Sequence, residues 1–211
     1  MEMRTMHVRV TFIEPVLGLS PSNSEIYRDY IGSKAPDAYT LEDEIEALGE
    51  DAVTEKGMTV FPRTADGKPF FWDYQVKGYF KDTCGGLRKV PGSESCKLKS
   101  YKKVIDKLIF PGPRRIVFEN YGTIMDCQRP LRAETAAGPR ISLAISEEIP
   151  AGARLTFDVI TFGDYDKLLR EWFDYGVFSG MSQWRNSGKG RFRWEELDEQ
   201  GKVIGGNKLL S

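Results

Sequence analysis

The segment Met181–Trp194, near the end of the chain, has a composition suited to binding an anion. It contains cationic and aromatic side chains, no acidic residue, and two glycines, Gly188 and Gly190, on either side of Lys189. Glycines let backbone amides approach an anion closely, and the cations supply opposite charge. The segment therefore predicts a loop that binds a phosphate backbone. Its cations are Arg185, Lys189, Arg191 and Arg193, and its aromatic residues are Trp184, Phe192 and Trp194.

Several familiar kinds of catalytic or cofactor site are excluded by residue type. The single histidine, His7, lies on a predicted strand, so there is no Ser-His-Asp set and no His-rich metal site. Three scattered cysteines are too few for a disulfide framework or a zinc knuckle. The Gly188–Gly190 step lacks the P-loop frame and does not open a helix after a strand. We therefore predict no catalytic residue, no cofactor and no metal.

Charge is strongly segregated although the formal net charge is only −1. Residues 37–55 contain eight acids and no Lys or Arg, whereas residues 77–115 contain eleven cations and three acids. This asymmetry predicts a polyanion partner for the basic face or self-association of basic and acidic faces. Two solvated surfaces without a partner remain the alternative. The acidic stretch matches no calcium loop, so we expect a solvated helix and loop there.

Length and composition are typical of a globular protein. The chain has 211 residues, enough for one large domain or two small ones, and 40% of them are hydrophobic. No run of 18 apolar residues predicts a membrane span. The first residues lack the charged and apolar regions of a signal peptide, so a cytoplasmic location is expected.

The elements that must position the basic segments can be predicted from hydrophobic periodicity. A helix over 165–175 should lead into the glycine-rich loop, and a strand over 191–196 should follow it. Another helix, over 74–85, should carry Lys77 and Lys81 on one face. This order of elements predicts an α+β fold with helices on one face of a sheet. The other predicted elements are helices over 41–48 and 98–109, strands over 6–13, 115–119, 123–128, 141–146 and 154–162, a flexible loop over 85–95, and a final turn and strand over 197–204.

Six segments, taken in chain order, carry degenerate motifs of one family. They are Val8–Leu19, Asp66–Phe71, Val76–Lys81, Arg132–Gly138, Glu148–Phe157 and Ser187–Phe192. In this order the chain resembles the RAMP superfamily (repeat-associated mysterious proteins). It is most similar to the backbone subunits of type III CRISPR effector complexes, which coat a guide RNA.

The resemblance implies a fold and a set of binding residues. The fold would be a single domain over 1–211, with a ferredoxin-like βαββαβ core, a thumb, and insertions at about 20–57 and 85–113. The family's cleaving members use an acidic residue after the first strand, and none in 37–55 matches it, so the resemblance implies holding RNA and not cutting it. The family's binding residues correspond to Lys77, Lys81, Arg132, Gly188, Gly190 and Arg191. The composition of the loop adds Trp184, Arg185 and Lys189 as candidate binding residues.

Three functions remain open from the sequence. The favoured one is an RNA-binding module that holds single-stranded RNA by its backbone, with Trp184 or Trp194 stacking on a base. It would act beside further copies or other RAMP subunits in a ribonucleoprotein of prokaryotic or phage defence or counter-defence. The alternatives are a small-nucleotide binder on the same fold and a metal-dependent endoribonuclease using Asp37, Asp43 or Asp51.

Overall fold

The computed structural model describes residues 2–21, 58–135 and 138–207, without the side chains of residues 21 and 131–142. The predicted helix over 41–48 lies outside the described residues. So do the whole acidic stretch and the nuclease candidates Asp37, Asp43 and Asp51.

The described elements are mostly strands. In chain order the strands are β1 (Met3–Phe12), β2 (Val16–Leu17), β3 (Ser20–Pro21), β4 (Thr59–Val60), β5 (Phe70–Trp72), β6 (Ile109–Gly112), β7 (Arg115–Glu119), β8 (Met125–Thr135), β9 (Gly138–Ile149), β10 (Arg154–Phe162), β11 (Phe192–Leu197) and β12 (Val203–Gly206). The helices are α1 (Asp73–Leu87), α2 (Glu94–Lys97), α3 (Tyr101–Leu108) and α4 (Asp166–Asp174). Short 3₁₀ turns follow at Tyr175–Val177 and Arg185–Ser187.

Most of the predicted elements on described residues are confirmed, and the differences have local causes. The helix expected over 98–109 begins only at Tyr101, because Ser100 before it adopts a left-handed conformation with φ of 50°. The loop expected over 85–95 is partly helical, since α1 continues to Leu87. The strands expected over 123–128 and 141–146 are longer and form the β8–β9 hairpin. Strands β5 and β6 are too short to show a period and were not predicted.

Contacts between Cα atoms divide the chain into two compact units. The first comprises the described residues of Met1–Val16, Pro62–Thr123 and Ile149–Ser211, and the second those of Leu17–Phe61 and Ile124–Glu148. The expected single domain over 1–211 with two insertions stays a prediction.

The first unit is built on an antiparallel sheet with the strand order β12-β11-β1-β10-β7-β5, in which β6 also pairs with β10. β1 is central, and its alternation is the expected one: Met6, Val8, Val10 and Phe12 are all buried. This antiparallel sheet with separate helices agrees with the predicted α+β class.

Helices α1 and α4 cover the buried face of this sheet. Phe80 of α1 packs on Phe173 of α4, with ring centroids 5.4 Å apart, and Phe173 stacks on Trp194 of β11 at 5.2 Å. The Tyr79 hydroxyl donates to the Trp172 carbonyl oxygen at 2.6 Å, so this buried polar group is satisfied. The aromatic packing fixes α1 against the sheet and leaves its opposite face to solvent.

The second unit contains a smaller sheet with the order β2-β9-β4-β3, in which β8 pairs with β9. The hairpin register runs from Met125 opposite Glu148 to Thr135 opposite Gly138. The Phe61 amide donates to Glu147 Oε2 at 2.8 Å, and this contact holds the end of β4 beside β9.

Candidate nucleic-acid interface

The solvent face of α1 combines cations with glycines. Lys77 and Lys81 lie one turn apart, and Gly78 and Gly85 occupy the same side of the helix. A glycine inside a helix costs about 1 kcal/mol relative to alanine. A Cβ atom added at Gly78 would meet no atom within 4 Å, so packing within the described residues does not require glycine there. The backbone of α1 is thus open to close approach by another molecule.

Both predicted lysines of α1 interact with Asp106 of α3. Lys81 Nζ lies 2.6 Å from Asp106 Oδ1, and Lys77 Nζ donates to the Asp106 carbonyl oxygen at 3.3 Å. The Lys77 ammonium also lies 4.3 Å from the centroid of the Phe110 ring. The hydrogen bond from Lys81 lowers the pKa of Asp106, and burial lowers the pKa of Lys77. Asp106 therefore shields part of the positive charge of α1.

An open groove of about 700 Å³ lies along α1, the start of α3, and the segment between Tyr175 and Arg185. We call it the basic groove, because its lining includes four cations and one acid, Asp82. The cations are Lys81, Lys89, Lys102 and Arg185. The remaining lining residues are Gly78, Gly85, Gly86, Tyr101, Tyr175 and Ser179.

Arg185 connects the glycine-rich loop to α1. Its guanidinium Nη1 lies 2.8 Å from Asp82 Oδ2, and both side chains are partly exposed. Arg185 opens the 3₁₀ turn directly after Trp184, whose φ of 57° redirects the chain. The structure therefore brings two of the predicted site residues, Lys81 and Arg185, to one groove.

Two further cations of the basic groove, Lys89 and Lys102, were not predicted as site residues. They come from two separate segments, the residues just beyond α1 and the first turn of α3. Tyr101, the first residue of α3, contacts the other segment, because the Arg88 guanidinium lies over its ring at 5.0 Å from the centroid. The excess of cations over 77–115 was the sequence signal for this surface, but it could not select individual residues.

Gly188 and Gly190 make backbone contacts within the chain. The Gly190 amide donates to the Pro15 carbonyl oxygen at 2.7 Å, and the Gly188 amide donates to the Arg185 carbonyl oxygen at 2.9 Å. Both glycines are buried and have positive φ, and a Cβ at Gly190 would lie 2.0 Å from the Met181 carbonyl oxygen. Their amides are therefore engaged within the chain, and the glycines allow the loop to fold tightly.

The aromatic residues of the loop divide between core and surface. Trp194 is only 2% exposed and its Nε1 donates to Asp174 Oδ1 at 2.8 Å, and Phe192 is fully buried. The expectation that Trp194 stacks on a base is therefore wrong, because its ring belongs to the core. Trp184 is 39% exposed and remains a candidate for stacking on a base.

The other predicted site residues do not line the basic groove. Lys77 is beside it on α1, and Lys189 and Arg191 are half-buried in the loop. The Arg191 guanidinium lies close to Gly188, since a Cβ there would be 3.3 Å from its Cζ. The backbone of Arg132 belongs to β8, but its side chain lies outside the described residues.

Neither His7 nor an acidic cluster forms a recognisable reaction centre in the described residues. His7 Nδ1 lies 2.7 Å from Asp158 Oδ1 on the neighbouring strand, which makes a cross-strand pair. In the described ranges, no group of three or more His, Cys, Asp or Glu residues could hold a metal ion.

A second cavity, of about 680 Å³, has the opposite character. Four acids line it, and its two cations are Lys167 and Arg170. Arg170 donates to Glu196 at 2.8 and 3.0 Å, and Glu171 accepts from the Glu94 amide at 2.6 Å, so these charges are largely satisfied internally. We call it the acidic cavity, and its charge disfavours a polyanion. Its acids are Glu94, Glu171, Asp174 and Glu196.

Comparison with known proteins gives a likeness of fold. No family model and no curated protein matches the sequence. Among solved structures, the chain is similar to a chain in the cryo-EM structure of the type III-B Cmr-beta bound to cognate target RNA. The TM-score is 0.50 at 10% sequence identity, over 90% of this chain and 58% of the matched chain. This chain thus corresponds to little more than half of its structural neighbour.

The likeness supports a structural resemblance to this chain of the type III-B complex. It spans most of the chain, as the six motif segments do, and at this identity it shows the fold alone. Within the described residues, no helix is long and apolar enough to cross a membrane. The expected cytoplasmic location stays a prediction.

Proposed function

We propose that this protein binds single-stranded RNA through its phosphate backbone, in the manner of RAMP proteins, and that the basic groove is the binding surface. The observation that carries the proposal is the composition of that groove, in which four cations and one acid surround the glycine-bearing face of α1. Phosphate contacts from Lys and Arg supply most of the sequence-independent affinity of a nucleic-acid-binding protein.

The strand order supports a ferredoxin-like core. The sheet of the first unit contains the order β11-β1-β10-β6, and α1 and α4 occupy the two crossover positions in the chain. All the neighbouring pairs in this set are antiparallel. A βαββαβ core requires this arrangement, in which the last strand lies beside the first and the first beside the third. We therefore assign β1, α1, β6 with β7, β10, α4 and β11 to that core.

The glycines of α1 fit a backbone-binding role. Gly78 and Gly86 have open space where a side chain would stand, so a phosphate could approach the helix more closely than a side chain would allow. Lys89 and Lys102 are exposed on either side, and their flexible ammonium groups can follow an irregular strand. Groove and cations together suit a ligand recognised by its charge and not by its sequence.

The loop residues contribute to the same proposal. Arg185 would exchange Asp82 for a phosphate, and Trp184 offers an exposed ring near the turn that Arg185 opens. Lys77, Lys189 and Arg191 remain proposed phosphate contacts on the unit that carries the basic groove, and Arg132 remains a proposed phosphate contact on β8. Gly188 and Gly190 would shape the loop that presents them.

The charge distribution also favours association with further protein subunits. The acidic cavity and the basic groove lie on the same unit and have opposite charge. We propose that further copies, or other RAMP subunits, associate through such complementary surfaces in a ribonucleoprotein of prokaryotic or phage defence or counter-defence.

The direct test is the anisotropy of a labelled single-stranded oligoribonucleotide titrated with the protein at low and at high salt. We expect binding at low salt that weakens steeply between about 50 and 200 mM salt. Absence of binding at low salt would contradict the proposal. Thermal stabilisation by mononucleotides but not by the oligoribonucleotide would instead identify a small-nucleotide binder.

A further inference from the structure

At the start of α1, aromatic rings of the segment Phe70–Tyr74 lie beside two arginines, Arg114 and Arg115, at the start of β7. The rings of Trp72 and Tyr74 stack with an interplanar angle of 13° and a centroid distance of 6.2 Å. Arg114 lies 5.4 Å from the Trp72 centroid and 5.7 Å from the Tyr74 centroid. Arg115 lies 5.7 Å from Trp72, directly opposite it in the β5–β7 pair. We call Trp72, Tyr74, Arg114 and Arg115 the aromatic–arginine cluster.

The cluster is held in place by the backbone around it. The Asp73 amide donates to the Arg114 carbonyl oxygen at 3.1 Å, and Arg114 Nη1 lies 2.8 Å from Asp73 Oδ1. The Trp72 amide donates to Gln75 Oε1 at 2.8 Å, which fixes the start of the helix. Rings and guanidinium groups are therefore preorganised before any ligand arrives.

Packing alone does not account for the cluster. Tyr74 is 47% exposed and the Arg114 side chain is 67% exposed, so both present large surfaces to solvent. Phe71, in the same segment, is 1% exposed and supplies the core contact. Although Trp72 stacks on the Tyr74 ring and Arg114 lies over it, nearly half of the Tyr74 residue surface remains exposed to solvent. An exposed, flat ring next to a cation is the surface on which an unpaired base stacks.

The cluster is continuous with the basic groove. Tyr74, Lys77, Gly78 and Lys81 share one face of α1, because Lys77, Gly78 and Lys81 are three, four and seven residues after Tyr74. Tyr74 and Gly78, which lines the basic groove, are one helical turn or about 6 Å apart along the axis. A strand leaving the groove toward the start of α1 therefore reaches the Tyr74 ring within one or two nucleotides.

We infer that the aromatic–arginine cluster stacks an unpaired nucleobase of the strand that the basic groove holds by its phosphates. The inference rests on the proposed function and adds to it a requirement for bases that are not paired. Tyr74 supplies the stacking face, Trp72 supports it from behind, and Arg114 lies beside both rings and within reach of the neighbouring phosphate.

The test compares two labelled strands of equal length and charge, a single-stranded oligoribonucleotide and an abasic ribose-phosphate strand. Tyr74→Ala should weaken binding of the first strand by about 5- to 150-fold. It should leave the abasic strand and the salt dependence unchanged, because it removes no charge. Tyr74→Phe keeps the ring and should bind both strands as the wild type does. Alanine suits this exposed helical position, and circular dichroism verifies the fold.

The outcomes separate the two proposals. Wild-type affinity of Tyr74→Ala for the oligoribonucleotide overturns the stacking site and leaves the basic groove intact. An equal loss for both strands also overturns it, since an effect independent of bases is not stacking. If the wild type binds neither strand at low salt, the proposed function is contradicted, and so is the stacking site that rests on it.

Discussion

Arg185 of the glycine-rich loop and Asp82 of α1 form an ion pair with 2.8 Å between Nη1 and Oδ2. The two side chains are 33% and 53% exposed, so the pair stabilises the fold by at most about 1 kcal/mol. Its importance is its position, because Asp82 is the one acid among the described residues that line the basic groove. The pair joins the loop to α1 and partly neutralises the groove.

Replacing Asp82 with Asn should strengthen RNA binding. The substitution removes the acid from the groove and releases Arg185 for a phosphate, while the shape of the side chain is kept. From the energy of an exposed ion pair we expect about a two- to fivefold gain in affinity. Fluorescence anisotropy with single-stranded RNA measures it. Asp66→Asn, in a turn away from the groove, is the matched control, and weaker binding by Asp82→Asn would contradict the assignment of the groove.

Alanine at Gly78 should separate stability from binding. The added Cβ has no atom within 4 Å, so the variant should gain about 0.8–1.0 kcal/mol in free energy of unfolding from helix propensity. The same Cβ stands where the proposed phosphate approaches, so RNA affinity should fall several-fold. Urea denaturation and anisotropy measure the two quantities. A more stable variant with unchanged affinity would show that the strand does not lie on this face of α1.

Alanine at Gly190 should damage the loop itself. Its φ of 72° disfavours a side chain, and the new Cβ would lie 2.0 Å from the Met181 carbonyl oxygen. We expect a loss of at least about 1–3 kcal/mol in free energy of unfolding. Gly201→Ala is the control, because its φ of 77° is similar but its Cβ would meet no atom within 4 Å. Equal losses in the two variants would contradict a close approach of Gly190 and Met181.

The Lys81–Asp106 pair predicts a component of acid sensitivity. The hydrogen bond from Lys81 lowers the pKa of Asp106 below its ordinary value of 3.8. A carboxylate with a lowered pKa in the folded state stabilises the fold above its ordinary pKa, and this contribution is lost as the pH falls through the folded value. The stability of Asp106→Asn should therefore change less than that of the wild type below pH 3.8. Parallel curves of unfolding free energy against pH for the two proteins would rule out this contribution.

The elements with clear periodicity could be predicted from the sequence. Alternation gave β1, since Val8 and Val10 point into the core while His7 and Arg9 do not. The apolar stripe of α4, with Leu169 and Trp172, marked a helix that packs on the sheet. In both cases the burial of side chains has the same period as the backbone, so local sequence is sufficient.

The candidate site was harder, because tertiary contacts decide what each residue does. Phe192 and Trp194 alternate with Arg193 in β11, a signal that both aromatic rings share the buried face. Composition alone had grouped them with the cations of the loop. The sequence predicts Gly190 as an anion contact, and it gives no sign that the Pro15 carbonyl oxygen accepts the Gly190 amide. The basic groove joins residues from α1, α3 and the loop, and no sequence period relates such segments.

The salt dependence of RNA binding by charge-reversal variants tests the central claim most directly. Lys89→Glu with Lys102→Glu alters the basic groove, whereas Arg154→Glu with Lys202→Glu changes the net charge equally at exposed positions outside it. The groove variant should lose most of its affinity, and the slope of log affinity against log salt should become shallower by about 0.7 per lost phosphate contact. The control variant should keep the wild-type slope. Equal slopes and affinities in the two double variants would contradict the assignment of RNA binding to the basic groove.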